Sequence, residues 1–117
     1  MATYESLDVW QMSHQQALLI YELTSKFPVD ERFELISQLR RAAISTPVNI
    51  AEGNARFTKG EHKQFLSFAK GSNEEVHYLL RLSRDLGYIL KDTYEEMTAN
   101  CDRISKMLTK LTQAIRQ

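Results

Sequence analysis

Turn-forming residues are scarce in this chain, with four glycines and two prolines among 117 residues. A sheet protein of this size needs frequent turns, so the shortage argues for long helices joined by short links. The glycines are isolated, which excludes a glycine-rich phosphate loop. Cysteine is rarer still. Cys101 stands alone and cannot form an internal disulfide, so it reads as a small buried hydrophobe in a reducing compartment. No N-terminal stretch joins a basic start to an apolar core, and no run approaches the ~20 apolar residues that cross a bilayer. These absences point to a cytoplasmic protein without membrane contact. A surplus of charge is missing too: 15 basic side chains balance 15 acidic ones. The overall balance therefore gives no support to a dedicated nucleic-acid binder.

What is present is helical periodicity. The composition, 43% hydrophobic and 26% charged, is that of a globular domain able to bury a core without staples. A first helix is expected over 8–27, capped by Asp8 and stopped by Pro28, with Trp10, Ala17, Ile20, Thr24 and Phe27 recurring along it. A second spans 31–53, with Glu31 and Glu34 near its positive end and Gly53 as the residue just past its end. Thr58 and Glu61 form a capping box that opens a third helix over 59–87. The fourth, over 92–115, carries Tyr94, Met97, Cys101, Ile104, Leu108, Leu111 and Ile115 at alternating three and four spacings, the narrow seam of a bundle helix. Short links make sequential helices antiparallel neighbours. The expected fold is an all-α, antiparallel up-down-up-down four-helix bundle in a single domain.

The second helix is unusual in two ways. It contains Pro47 in its interior, at a cost of roughly 3 kcal/mol that outside packing must offset. Its apolar arc is also too wide. Ile36, Leu39, Ala43, Thr46 and Ile50 suffice for a core, yet Phe33, Ile44, Val48 and Ala51 line a flank. A second apolar side implies a neighbouring subunit. On the third helix, Gly71 inside the helix suggests close approach of another backbone. Asn49 and Glu52 on the second helix, with Ser72 and Glu75 on the third, could then join in a polar network.

Two chemistries merit weighing. Basic residues Arg40, Arg41, Arg56, Lys59 and Lys63, with Lys70 beyond them, could meet phosphates, and Phe57 between Arg56 and Lys59 could stack on a base. The alternative is ordinary solvated charge. Residues 31–60 hold five bases against three acids, whereas residues 1–30 hold one against four. Glu74 and His77 form a Glu-x-x-His pair of the kind that di-metal bundles use twice. The second such pair is missing, so no metal ligand, catalytic residue or cofactor is assigned.

The run QLRRAAISTPVNIAEGNAR, Gln38 to Arg56, with GSNEE at Gly71 to Glu75, closely resembles the 23S rRNA intervening-sequence protein family. LDVWQMSHQQALLIYELTSKFP near the start and LSRDLGYI at Leu82 to Ile89 match as well, so the likeness covers most of residues 7–90. The resemblance implies an antiparallel four-helix bundle assembled as a ring-like homopentamer, with no established catalytic residue. Family members take their name from genes lying inside insertions in large-subunit ribosomal RNA genes. More distantly, the chain is similar to the accessory variability determinant proteins of retroelements. Those form pentameric barrels, bind nucleic acid through a strongly basic surface and associate with a reverse transcriptase. The balanced charge here departs from that surface.

The combined expectation is a non-enzymatic, self-assembling adaptor, homopentameric and associated with RNA or ribonucleoprotein. Its rivals are a nucleic-acid-binding (RNA or DNA) accessory factor working with a partner enzyme, a protein-interaction scaffold, and a di-metal bundle enzyme.

Overall fold

The computed structural model describes residues 3–115. Four helices dominate: α1 (Asp8–Thr24), α2 (Ser37–Asn54), α3 (Lys59–Asp85) and α4 (Lys91–Ala114). Cross-contacts set their directions. Lys70 reaches Thr109 and His77 reaches Asp102, so residue numbers fall along α4 as they rise along α3. The same inversion joins Ser45 to Ser72 and Glu31 to Tyr88 across α2 and α3. Along α1 and α4, Gln16 lies against Cys101 while Leu7 and Leu111 line one hollow further down. The rod measures 46 × 24 × 21 Å. No helix among the described residues is long and apolar enough to cross a membrane.

Local chemistry explains the boundaries, including those that depart from expectation. Leu7, not Asp8, is the N-cap of α1, and no side chain caps it; Asp8 is the first helical residue. Helix α1 stops at Thr24, and a turn through Phe27 precedes Pro28. The chain then winds through a 3-10 turn, Val29–Glu31, and a π-helical turn, Arg32–Ile36, before α2 begins. Gly53 does not follow α2 but lies within it, and the helix runs on to Asn54. At the start of α3 the Glu61 amide donates to Thr58 Oγ1 at 3.1 Å, while the Thr58 hydroxyl donates to the Glu61 carboxylate at 3.0 Å. Gly87, with φ of +81°, ends α3; the amides of Gly87 and Tyr88 donate back to the Arg84 and Ser83 carbonyls. Such paired return bonds need the left-handed region that glycine enters without penalty.

The core has three layers along its length. One apolar cluster includes Ile20, Leu39, Val76, Leu80 and Met97, and the other Val9, Ile50, Leu66, Ile104 and Leu108. Between them lies a buried polar waist of Ser13, Gln16, Thr46 and Asn73 beside Cys101. Asn73 donates to the Cys101 carbonyl at 2.8 Å, and Gln16 donates to Cys101 Sγ at 3.2 Å. Gln16 Oε1 and Asn73 Oδ1 are buried without a protein partner. Pro47 is buried one residue beyond Thr46, so the packed waist offsets the hydrogen bond that proline removes from α2.

Candidate nucleic-acid interface

Zero net charge conceals a segregation along α3 and α4. From Lys59 to Gly71 and from Arg103 to Ile115, six cations (Lys59, Lys63, Lys70, Arg103, Lys106, Lys110) accompany one carboxylate, Glu61. From Ser72 to Asp85 and from Lys91 to Asp102, seven carboxylates accompany three cations. Because α3 and α4 run antiparallel, the two cation-rich halves lie side by side at one end of the rod.

Helical spacing gives this end its shape. Lys59, Lys63 and Lys70 recur at four and seven residues, so they share the side of α3 that faces α4. Lys63 and Lys70 line a shallow hollow of about 230 Å³ whose other wall carries Thr109, Thr112 and Gln113. Lys70 Nζ donates to Thr109 Oγ1 at 2.9 Å, which holds its ammonium over the hollow. Two ammonium groups with hydroxyl and amide neighbours suit a phosphate oxygen.

The residues singled out from the sequence divide into two groups. Arg40 donates to Thr24 Oγ1 at 2.8 Å and to the Tyr21 carbonyl at 3.3 Å, and its guanidinium lies 4.4 Å over the Tyr21 ring. It ties the C-terminal end of α1 to α2, a position that favours a cation. Arg41 is exposed and lines a separate hollow with Gln38, Ser45 and Glu75. Both arginines sit about 24 Å along α2 from Arg56, at 1.5 Å per residue. The five cations therefore do not form one patch. Arg56 lies at the basic end, 4.3 Å over the Phe65 ring and 3.8 Å from the Glu52 carboxylate. Phe57 beside it is fully exposed. Arg103, Lys106 and Lys110 were not singled out, although one signal was readable: no carboxylate follows Asp102 in the sequence.

The expected contact residues are distributed as follows. Phe33, Ile44 and Val48 are 83%, 40% and 45% exposed, so the second apolar side of α2 faces outward from this chain. Asn49 Nδ2 donates to the Ser45 carbonyl at 2.9 Å, and the Ser45 and Ser72 hydroxyls meet at 2.8 Å. The polar link between α2 and α3 thus runs through Ser45, with Glu52 turned to Arg56 and Glu75 exposed. Gly71 requires correction within the chain. A Cβ there would meet nothing within 4 Å, whereas one at Gly53 would lie 3.0 Å from Phe65 Cβ and 3.1 Å from the His62 ring. The close helix approach is at Gly53.

Catalytic chemistry finds little footing. Glu74 is exposed and His77 Nε2 lies 3.6 Å from Asp102 on the outside of the bundle, so this pair does not project inward as a di-metal centre needs. Among the described residues no group of three or more metal-ligating acids, histidines or cysteines occurs. Burial pushes the Cys101 thiol up to about 12, with the Gln16 hydrogen bond opposing, which leaves it protonated and unreactive at neutral pH.

Comparison with known proteins agrees with this architecture. No curated protein matches the chain. A crystal structure from Bacteroides thetaiotaomicron, described as a protein of unknown function from the S23 ribosomal protein family, superimposes with a TM-score of 0.81. The two share 27% identity over 89% of this chain and 97% of the other. The family model described as 23S rRNA-intervening sequence protein matches residues 5–110. The chain therefore belongs to the 23S rRNA intervening-sequence protein family.

Proposed function

We propose that this chain is a non-enzymatic, self-assembling adaptor of the cytoplasm that holds RNA on the basic end of its α3–α4 face. The observation that carries the RNA reading is the segregation of charge, with Lys59, Lys63, Lys70 and Lys106 against one carboxylate, Glu61, on this face of that end. Phosphates would lie along Lys59, Lys63 and Lys70 and across to Lys106, with exposed Phe57 offering a ring on which a base can stack. Assembly uses the outward apolar residues Phe33, Ile44 and Val48 on the other side of the molecule. The homopentamer implied by the family resemblance would repeat the basic end around a ring. Repetition converts a weak contact per subunit into avid binding.

The test is a titration of a labelled single-stranded RNA at several salt concentrations. Affinity is expected to fall with salt, with a slope of about 0.7 per neutralised phosphate in a plot of log affinity against log salt. The double variant Lys63→Glu with Lys70→Glu is expected to reduce affinity at least tenfold, whereas Arg41→Glu leaves it nearly unchanged. Flat titrations at low salt would remove the RNA reading.

A second reading, a protein-interaction scaffold without RNA, is favoured by the exposure of Phe33, 83%, on the turn before α2. Light scattering at micromolar concentration separates the parts. One defined oligomer that dissociates on Val48→Glu supports assembly through this side; a clean monomer excludes it.

A further inference from the structure

The seam between α1 and α4 is open. A groove of about 840 Å³ runs along it, lined by Met12, Gln16 and Leu19 from α1 and by Asn100, Arg103 and Met107 from α4. A second hollow shares Asp8 and Met107 with the first and extends it to Leu7, Lys110 and Leu111. From Leu19 to Leu7 the combined seam is about 18 Å long at 1.5 Å per residue. That length matches three turns of helix, longer than a compact metabolite needs.

Three features of the groove define what fits it. Its centre is apolar and rich in methionine, a side chain that reshapes around an incoming surface. Beneath its floor Gln16, 1% exposed, turns its amide into the bundle, where the nitrogen contacts Cys101 Sγ and the oxygen is buried without a protein partner. Exchanging the two ends of the amide leaves its nitrogen unpaired instead, so the polar waist keeps one unmet hydrogen bond on this side. The α4 rim carries Arg103 and Lys110, neither of which forms an ion pair among the described residues. The α1 rim offers Gln11, Gln15 and a single carboxylate, Asp8.

We propose that the α1–α4 groove is the docking site for an amphipathic helix of a partner protein. The partner places apolar side chains at three and four spacings between Met12, Leu19 and Met107. Carboxylates on one of its flanks meet Arg103 and Lys110. A helix is the fitting occupant because the lining residues of α1, Asp8, Met12, Gln15 and Leu19, recur at helical spacing and leave a straight channel for another helix's ridge. The apolar, methionine-rich centre favours such a helix over RNA at this position. The groove thus supplies a second binding function, separate from the Lys63–Lys70 hollow on the opposite side of α4.

The test uses two synthetic, stapled 16-residue helical peptides. Both carry leucine at positions 2, 5, 9 and 12. One bears glutamates along one flank, and its twin bears lysines there. Fluorescence anisotropy with the full chain is expected to show micromolar binding of the acidic peptide and at least tenfold weaker binding of its twin. Arg103→Glu with Lys110→Glu, both at exposed positions, is expected to reverse that preference. Met12→Glu is expected to abolish binding of both peptides while circular dichroism remains helical. Lys63→Glu with Lys70→Glu is expected to leave peptide binding unchanged, which separates this site from the RNA surface. Failure of the acidic peptide to bind, or a preference unmoved by reversal at Arg103 and Lys110, overturns the proposal. So does light scattering in which Met12→Glu alone dissolves the native oligomer, since a second copy of the chain would then fill the groove.

Discussion

Where α2 meets α3, the missing side chain of Gly53 lets Phe65 and the His62 ring settle against bare backbone, and the Ser45 and Ser72 hydroxyls close the contact at 2.8 Å. Where α1 meets α4, two methionines flank a groove of about 840 Å³ and a buried amide keeps one end unpaired. The first seam uses a small residue and a matched hydroxyl pair, so around Gly53 it closes on bare backbone, and its hollow lies further along, between Arg41 and Glu75. The second uses long, pliable side chains over a buried, half-paired amide, so an incoming surface can be accommodated. Opposite seams of one bundle thus differ in the side chains that close them.

The sharpest way to break the comparison is to add a side chain to the closed seam. Gly53→Leu must push Phe65 Cβ and the His62 carbonyl, which a Cβ would meet at 3.0 and 3.3 Å. It should cost about 3 kcal/mol in urea unfolding, the upper part of the usual overpacking range. Gly71→Leu, at an exposed position with nothing within 4 Å, should leave the isolated chain as stable or slightly more so, because leucine favours helix over glycine by about 1 kcal/mol. Any loss of oligomer in that variant would mark Gly71 as a subunit contact.

Alkali and acid should attack different seams. Cys101 lies below the open seam with its thiol pushed up to about 12 from 9.0. Above pH 9 the unfolded chain loses this proton while the folded chain keeps it, so unfolding becomes easier as pH rises. The slope is at most about 1.4 kcal/mol per pH unit until pH 12. Urea midpoints measured from pH 8 to 11 should fall more steeply in the parent than in Cys101→Ala.

His62, in the closed seam, is shifted the other way: burial lowers its folded value below 6.5, and its Nε2 is enclosed without a partner. Below pH 6.5 the unfolded chain takes up a proton that the folded chain resists, so stability should drop on acidification. His62→Gln should flatten that loss between pH 7 and 5, read from thermal midpoints.

The smallest effects come from exchanging polar groups at the two seams. Ser45→Ala removes the partner of both Ser72 and Asn49 and should cost about 1 kcal/mol. Gln16→Leu removes an amide that is already half unpaired, so its cost should be near zero in chemical denaturation. A larger loss at Gln16 than at Ser45 would mean that the waist, not the seam geometry, dominates.

Much of this architecture was legible in the sequence. The shortage of glycine and proline, the Thr58–Glu61 cap and the regular seam from Met97 to Leu108 specify helices and their inward faces directly. The outward side of α2 was readable too, because Phe33, Ile44 and Val48 exceed what one core can bury. What escaped was anything decided across helices. Asn73 and Gln16 look like surface residues by type, and only the facing Cys101 explains their burial. Gly53 resembled a helix terminator because its neighbour Phe65 is invisible to local reasoning. Arg40 resembled a phosphate ligand because its real acceptors, Thr24 and the Tyr21 carbonyl, lie on another helix. The basic end was hidden for a related reason: its halves are separated by more than thirty residues and become adjacent only when α3 and α4 fold back.

The segregated charge also governs how encounters begin. The 46 Å rod spans several screening lengths of about 8 Å at physiological ionic strength, so an approaching polyanion meets the charge of the end it faces rather than the net charge of zero. Capture should therefore begin at the basic end and slow as salt is added. Polymers that carry the same phosphate charge arrive alike, so a preference among them is expressed in how long they stay.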